Sequence, residues 1–167
     1  GNYCISIGLY DPYHNFLDLE ARKSLGKTVI ALEMIPRTSR AQSMDVLSSQ
    51  ANLAGYVAVI KAAERLNKIM PLFMTAAGTI KPARVLVIGA GVAGLQALAT
   101  AKRLGAQAFG YDVRKEVREQ IESLGAKFVE ITLAEDGAGE GGYARALSQE
   151  SLIEQRALLT DFAATCD

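Results

Sequence analysis

One stretch constrains this chain more than any other: Ala83 to Asp112, ARVLVIGAGVAGLQALATAKRLGAQAFGYD. Arg84 to Ile88 is a β-branched, apolar run, too brief for a helix and suited to a strand covered on both faces. Gly89-Ala90-Gly91-Val92-Ala93-Gly94 follows at once, and an Ala/Leu-rich helix runs on to about Leu104, where Gly105 suits its end. A second strand closes on Tyr111-Asp112, which sets a carboxylate 18 residues beyond Gly94. A glycine turn alone can be merely structural. With a strand before it, a helix after it and an acid at this spacing, it reads as a dinucleotide fingerprint. Gly89 permits the tight turn, Gly91 lets the backbone approach a pyrophosphate, and Gly94 lets helix and strand pack closely. The N–H groups of the helix start then face the phosphates. Asp112 is placed to accept hydrogen bonds from the adenosine ribose and to repel a 2′-phosphate. NAD is thereby favoured over NADP, although Arg114 nearby leaves room for NADP.

The rest of the chain sets limits. Its 167 residues allow one domain or parts of two, and 50% hydrophobic content is enough for a core. Lys+Arg and Asp+Glu balance at 18 each, so there is no global electrostatic case for nucleic acid or anionic lipid. Cys4 and Cys166 have neither metal-ligand spacing nor a disulfide framework around them, which predicts reduced thiols in a cytosolic setting and no metal site. No stretch reaches the ~20 apolar residues of a membrane span, and the N-terminus lacks the layout of a signal peptide. A soluble chain without membrane insertion is expected.

Taken in order, Tyr3 to Leu9 reads as a strand that breaks at Asp11-Pro12, and residues 17–25 as a short helix ending at Gly26. Thr28 to Ile35 reads as a second strand. This βαβ unit starts with nothing before it, so the sequence is expected to begin partway through a domain. A long helix is expected from Ser39 to about Met70, stopped by Pro71, with Ser39 and Gln42 as a capping box. Its expected inward positions are Met44, Leu47, Ala51, Ala54, Val57, Ile60 and Leu66. Residues 72–82 read as a connector. Beyond Asp112, Val113 to Leu124 reads as a helix, Lys127 to Ile131 as a third parallel strand, and residues 150–165 as helical. Ala134 to Gly142 is glycine-rich and acidic, hence a disordered loop or a lid. The expected fold is α/β: a Rossmann-type parallel sheet with part of a second βαβ domain, joined by a long helix. The divisions are 1–36, 37–82 and 83–167, the last incomplete at its C-terminal end. A cleft between two such units is a natural ligand site.

Arg37, Gln42, Asp45 and Ser48 form a second constellation. Positions 42, 45 and 48 lie three apart and would share one face near the helix start, with Arg37 entering from the preceding strand end. A guanidinium, an amide, a carboxylate and a hydroxyl can grip a nicotinamide carboxamide and ribose. Helix capping accounts for the same residues: Gln42 as a box partner, Asp45 against the helix dipole. Chemistry alone leaves both accounts open.

The segments PRTSRAQSMDVLSSQANLAGY, MTAAGTIKPARVLVIGAGVAGLQALATAKRLGA, YDVRKEVREQIESLGAKF and GEGGYA resemble the NAD(H)-binding component, in the alpha subunit, of proton-translocating NAD(P) transhydrogenase. That family is related to alanine dehydrogenase. The resemblance covers nearly the whole chain, and RTSRAQSMD is more specific than the glycine motif. It implies that Arg37, Thr38, Ser39, Gln42, Ser43, Met44, Asp45 and Ser48 meet the nicotinamide end of NAD(H). It implies that Gly89, Gly91, Val92, Ala93 and Gly94 serve the pyrophosphate, and Asp112, Val113 and Arg114 the adenosine ribose. Gly142 and Tyr143 match a loop that closes over the nucleotide, and Gln155 falls where the family has a glutamine lining the site. Family members have a complete first domain before the region matching Tyr3 and further strands after Asp167, so the chain looks like the middle of a two-domain component.

The implied reaction is direct hydride transfer from NADH to NADP⁺ held on a separate component, coupled to proton movement by a membrane-spanning component. The component would be a homodimer, cytoplasmic and peripheral to the membrane through its partners. Two aligned nicotinamides need no protein acid or base, so no catalytic residue is expected; Gln42 and Asp45 orient. His14, the one histidine, sits in a turn outside both constellations. Two alternatives remain: an NAD-dependent oxidoreductase like alanine dehydrogenase, and a non-catalytic nucleotide-binding or dimerising fragment, inactive alone.

Overall fold

A computed structural model describes residues 4–131 and 148–167. The chain divides into two compact units, residues 1–50 and 51–167. In the first unit, β1 (Ile5–Gly8) and β2 (Thr28–Ala31) pair in parallel from Ile5↔Thr28 to Gly8↔Ala31, with α1 (Phe16–Ser24) between them in sequence. The expected strand from Thr28 to Ile35 is cut short. Leu32–Met34 forms a 3₁₀ turn instead. The reason lies in Glu33, whose Oε1 accepts the N–H groups of Tyr10 and Asp11 in the turn after β1. A side chain so engaged cannot keep its place in the strand's alternation.

The expected long helix is also divided. Ser39–Met44 is a 3₁₀ turn, and α2 spans Val46–Arg65, ending before Met70. Asp45 separates the two with non-helical ψ of 87°. It caps α2 itself, its carboxylate accepting the Ser48 N–H at 3.0 Å and the Ser48 hydroxyl at 2.6 Å. The capping box assigned to Ser39 and Gln42 is therefore replaced by an Asp45–Ser48 cap beyond the 3₁₀ turn of Ser39–Met44. The buried face of α2 differs too: Gly55 and Val59 are buried, whereas Met44, Leu47, Val57 and Ile60 are exposed. Small residues allow the approach of a neighbouring backbone, and that outweighs the pull of the larger apolar groups.

Residues 72–82 are not a plain connector. They hold an antiparallel hairpin, β3 (Phe73–Thr75) with β4 (Gly78–Ile80). The second unit's main sheet is parallel, in the order β5 (Arg84–Ile88), β6 (Gln107–Tyr111), β7 (Lys127–Phe128). Alternation along β6 assigns its side chains to two cores. Ala108 faces the cluster containing Val59, Leu98 and Ile121, formed with α3 (Val92–Arg103) and α4 (Arg118–Ser123). Phe109 and Tyr111 face the other cluster with Leu159 and Phe162 of α5 (Gln149–Ala163). There Phe109 and Phe162 meet edge to face at 5.3 Å between centroids. The helix expected from Val113 starts late, at Lys115, as a 3₁₀ turn before α4, because the Arg114 N–H is held by the Asp112 carboxylate. After α5, the Asp167 N–H donates to the Arg84 carbonyl on the edge of β5 away from β6.

Candidate functional site

The glycine turn is built by three different constraints. Gly89 has φ +93°, and its N–H donates to the Tyr111 carbonyl at 2.7 Å, tying the turn to the end of β6. Gly94 is required by contact, since a Cβ there would lie 1.7 Å from the Gly89 carbonyl oxygen. Gly91 has extended backbone and open space where a Cβ would stand. Among the described residues no neighbour demands that the side chain be absent. Gly91 also caps α3, whose first turn, Val92-Ala93-Gly94, presents N–H groups without intrahelical partners.

Gly55 is a fourth such residue, and one that the motifs did not single out. A Cβ on it would sit 2.1 Å from the Ala93 carbonyl oxygen, so α2 packs directly on the start of α3. An isolated glycine within a helical pattern was the available signal.

Asp112 lies at the end of β6, next to this turn. Its Oδ2 accepts the Ala90 N–H at 2.7 Å and Arg114 Nη2 at 2.9 Å; its Oδ1 accepts the Arg114 N–H and Nε, both at 2.9 Å. Burial raises the carboxyl pKa, but the Arg114 and Ala90 hydrogen bonds outweigh it and hold Asp112 below the usual carboxylate range. Arg114 is raised in turn, first by that bond. On the face of the sheet that carries α5, Gln155 donates through Nε2 to the Tyr111 hydroxyl at 2.9 Å. The structure thus brings Gln155 to the residue before Asp112. Gly142 and Tyr143 lie outside the described residues.

In the first unit, Arg37, Thr38, Ser39, Gln42 and Asp45 line one pocket of about 260 Å³ together with Ala41. Ser48 joins through its bonds to Asp45. Gln42 and Asp45 share the pocket, and Ser48 is tied to Asp45, by a 3₁₀ turn followed by a cap and not by the face of one helix. Asp45 is held below the usual carboxylate range, first by the Ser48 hydroxyl and then by its N–H, with the Arg37 charge assisting against partial burial. Asp45 is thus both a cap and a pocket wall. His14 is exposed and paired with Asp11, away from these groups in its interactions. Among the described residues no cluster of His, Cys, Asp and Glu could hold a metal ion, and no helix is long and apolar enough to cross a membrane.

Comparison with known proteins identifies the family. Residues 58–166 match the family model described as alanine dehydrogenase/PNT, C-terminal domain. The chain is 51% identical over 157 residues to the first part of the NAD(P) transhydrogenase alpha subunit of Rickettsia prowazekii, covering 93% of this chain and 40% of that protein. It is 50% identical over 163 residues to the NAD(P) transhydrogenase alpha subunit of Cereibacter sphaeroides, covering 96% of this chain and 31% of that one. Among solved structures, the transhydrogenase from Sinorhizobium meliloti superposes with a TM-score of 0.81 at 48% identity, over 98% of this chain and 43% of that one. The A subunit of dipicolinate synthase from Bacillus halodurans shares the fold, with a TM-score of 0.50 at 17% identity over 77% of this chain and 37% of that one. The chain spans less than half the length of each of these proteins. With a Rossmann-type sheet, a glycine turn shaped by contact and a family model matching more than half of its length, the chain belongs to the alanine dehydrogenase/PNT family.

Proposed function

We propose that the chain is the NAD(H)-binding part of a proton-translocating transhydrogenase. One observation carries this reading: Gly91 leaves open space at the head of α3 where Gly94 is closed by contact, beside a carboxylate at the end of the next strand. That arrangement suits a pyrophosphate on the N–H groups of Val92, Ala93 and Gly94, with Asp112, Val113 and Arg114 at the adenosine ribose. Gln155, bonded to Tyr111, approaches the same strand end from the face that carries α5. Arg37, Thr38, Ser39, Gln42, Ser43, Met44, Asp45 and Ser48 take the nicotinamide end, a role supported by the pocket that five of them line.

Bound NADH supplies the hydride, and NADP⁺ on another component receives it. The chain's own residues bind and orient. Asp45, kept ionised by Ser48 and Arg37, and the Gln42 amide fix the nicotinamide carboxamide and ribose. No residue is required to move a proton at the reacting carbon. The NADP(H)-binding and membrane-spanning components are the partners, through which this component lies peripheral to the membrane on the cytoplasmic side. Homodimer formation is supported by the exposed hairpin, where Phe73, Met74 and Ile80 remain uncovered.

Calorimetry with NADH and NADPH tests the cofactor assignment. NADH is expected to bind more tightly, and a preference for NADPH would refute the role given to Asp112. In the assembled enzyme, Gln42→Ala and Asp45→Asn are expected to slow hydride transfer by about tenfold or more with a smaller change in NADH binding. Asn remains a good cap. A loss of stability without a kinetic defect would reduce both residues to structural roles. NADH-dependent amination of pyruvate would assign the chain to an amino-acid dehydrogenase instead.

A further inference from the structure

The Asp112 carboxylate has no acceptor capacity left. Two carboxylate oxygens offer about four lone-pair positions. Four donors fill them: the Ala90 and Arg114 N–H groups, and the Nε and Nη2 of one guanidinium. The pair is also covered, with the Arg114 side chain 14% exposed and that of Asp112 6%. A ribose diol can therefore reach this carboxylate only by replacing donors already there. The two N–H groups belong to the glycine turn and the strand end and are fixed with them. The guanidinium is carried on a flexible stem. Glu116 offers it a second anion nearby, since its charge adds to that of Asp112 in raising the Arg114 pKa.

We propose that the Arg114 side chain is a latch on the ribose position, which nucleotide binding must displace and which sets the preference between NAD(H) and NADP(H). The proposal rests on the reading that this glycine turn binds a dinucleotide. While latched, Arg114 lowers affinity for NAD(H) by occupying its acceptor. It also neutralises the charge that would repel a 2′-phosphate and offers that phosphate a fork of donors. The latch thus weakens NADH binding and narrows discrimination together. Asp112 has a structural function besides, because through Ala90 it positions the turn whether or not a nucleotide is present.

The test is calorimetric titration of NADH and NADPH into the parent chain, Arg114→Leu and Arg114→Lys, with thermal melts to establish that each is folded. Arg114→Leu is expected to bind NADH about tenfold more tightly, the worth of one released charge-assisted hydrogen bond, and NADPH no more tightly. Arg114→Lys, which keeps the charge without the fork, should fall between. Weaker NADH binding by a folded Leu variant would overturn the latch and make the guanidinium a direct ligand. Unchanged affinities beside normal NADH binding by the parent would also overturn it, leaving the cofactor reading intact. If the parent binds neither nucleotide, both fail. Should Arg114→Leu not fold, the Lys variant decides: tighter NADH binding supports the latch, and equal or weaker binding overturns it.

Discussion

Asp112 shows how one side chain at a proposed ligand site can also serve the fold. It joins the glycine turn to the end of β6 through Ala90 and holds Arg114 in a two-pronged ion pair. Asp112→Asn is expected to destabilise the chain by about 2 kcal/mol, because a largely covered guanidinium loses its counter-charge. Urea denaturation at neutral pH measures this. The pH dependence follows from the direction of the shift. A carboxyl depressed in the folded state contributes its stability above the unfolded pKa, near 4, and loses it as pH falls through the folded value. Asp45 is depressed in the same direction. Unfolding midpoints should therefore decline as pH drops below about 4, with a shallower decline in Asp112→Asn. An equal decline in parent and variant would remove Asp112 from the acid-sensitive set.

At the scale of elements, the glycines of the α3 turn separate packing, at Gly94, from the binding proposed at Gly91. Gly94→Ala places a methyl 1.7 Å from the Gly89 carbonyl oxygen, so turn and helix must part. A loss of about 3 kcal/mol or more is expected, read from thermal or urea unfolding. Gly91→Ala meets open space and should leave stability within about 0.5 kcal/mol while weakening NADH binding about tenfold. Stability loss at Gly91 and tolerance at Gly94 would invert the assignment. The 3₁₀ turn over Ser39–Met44 belongs to this scale too. Asp45 has stronger bonds to make at the head of α2 than the helical conformation would allow it, so the helix begins after it.

For the whole molecule, the hairpin of β3 and β4 is a surface that the described residues leave exposed. Leu72, Phe73, Met74 and Ile80 are 52%, 47%, 78% and 47% exposed, a cluster of apolar groups costly to keep in water. Met74→Glu is expected to shift a dimer to monomer by at least about tenfold in dissociation constant, measured by sedimentation equilibrium. An unchanged association state would refute the hairpin's part in the proposed dimer. The hairpin was not legible in the sequence because its strands are three residues long, below the length at which alternation speaks. The shift of the buried face of α2 to Gly55 and Val59 was hidden for a related reason. A glycine has no hydropathy signal, yet it alone admits the Ala93 carbonyl.

By itself, the sequence determined what local chemistry decides: the strand–turn–helix–strand around Gly89, the position of Asp112 at the strand end, and the residue types of the Arg37–Ser48 segment. Each follows from backbone preference, hydrophobic period or a fixed spacing. Tertiary structure decided what depends on competition for partners. Glu33 ends β2 by taking two distant N–H groups. Asp45 turns from dipole partner into cap, and Gln155 finds Tyr111 across 44 positions of sequence. Arg114, two residues from Asp112 and legible only as a nearby charge, closes on that carboxylate. Hydrogen-bond capacity is finite, and only the folded chain shows which donor has claimed it.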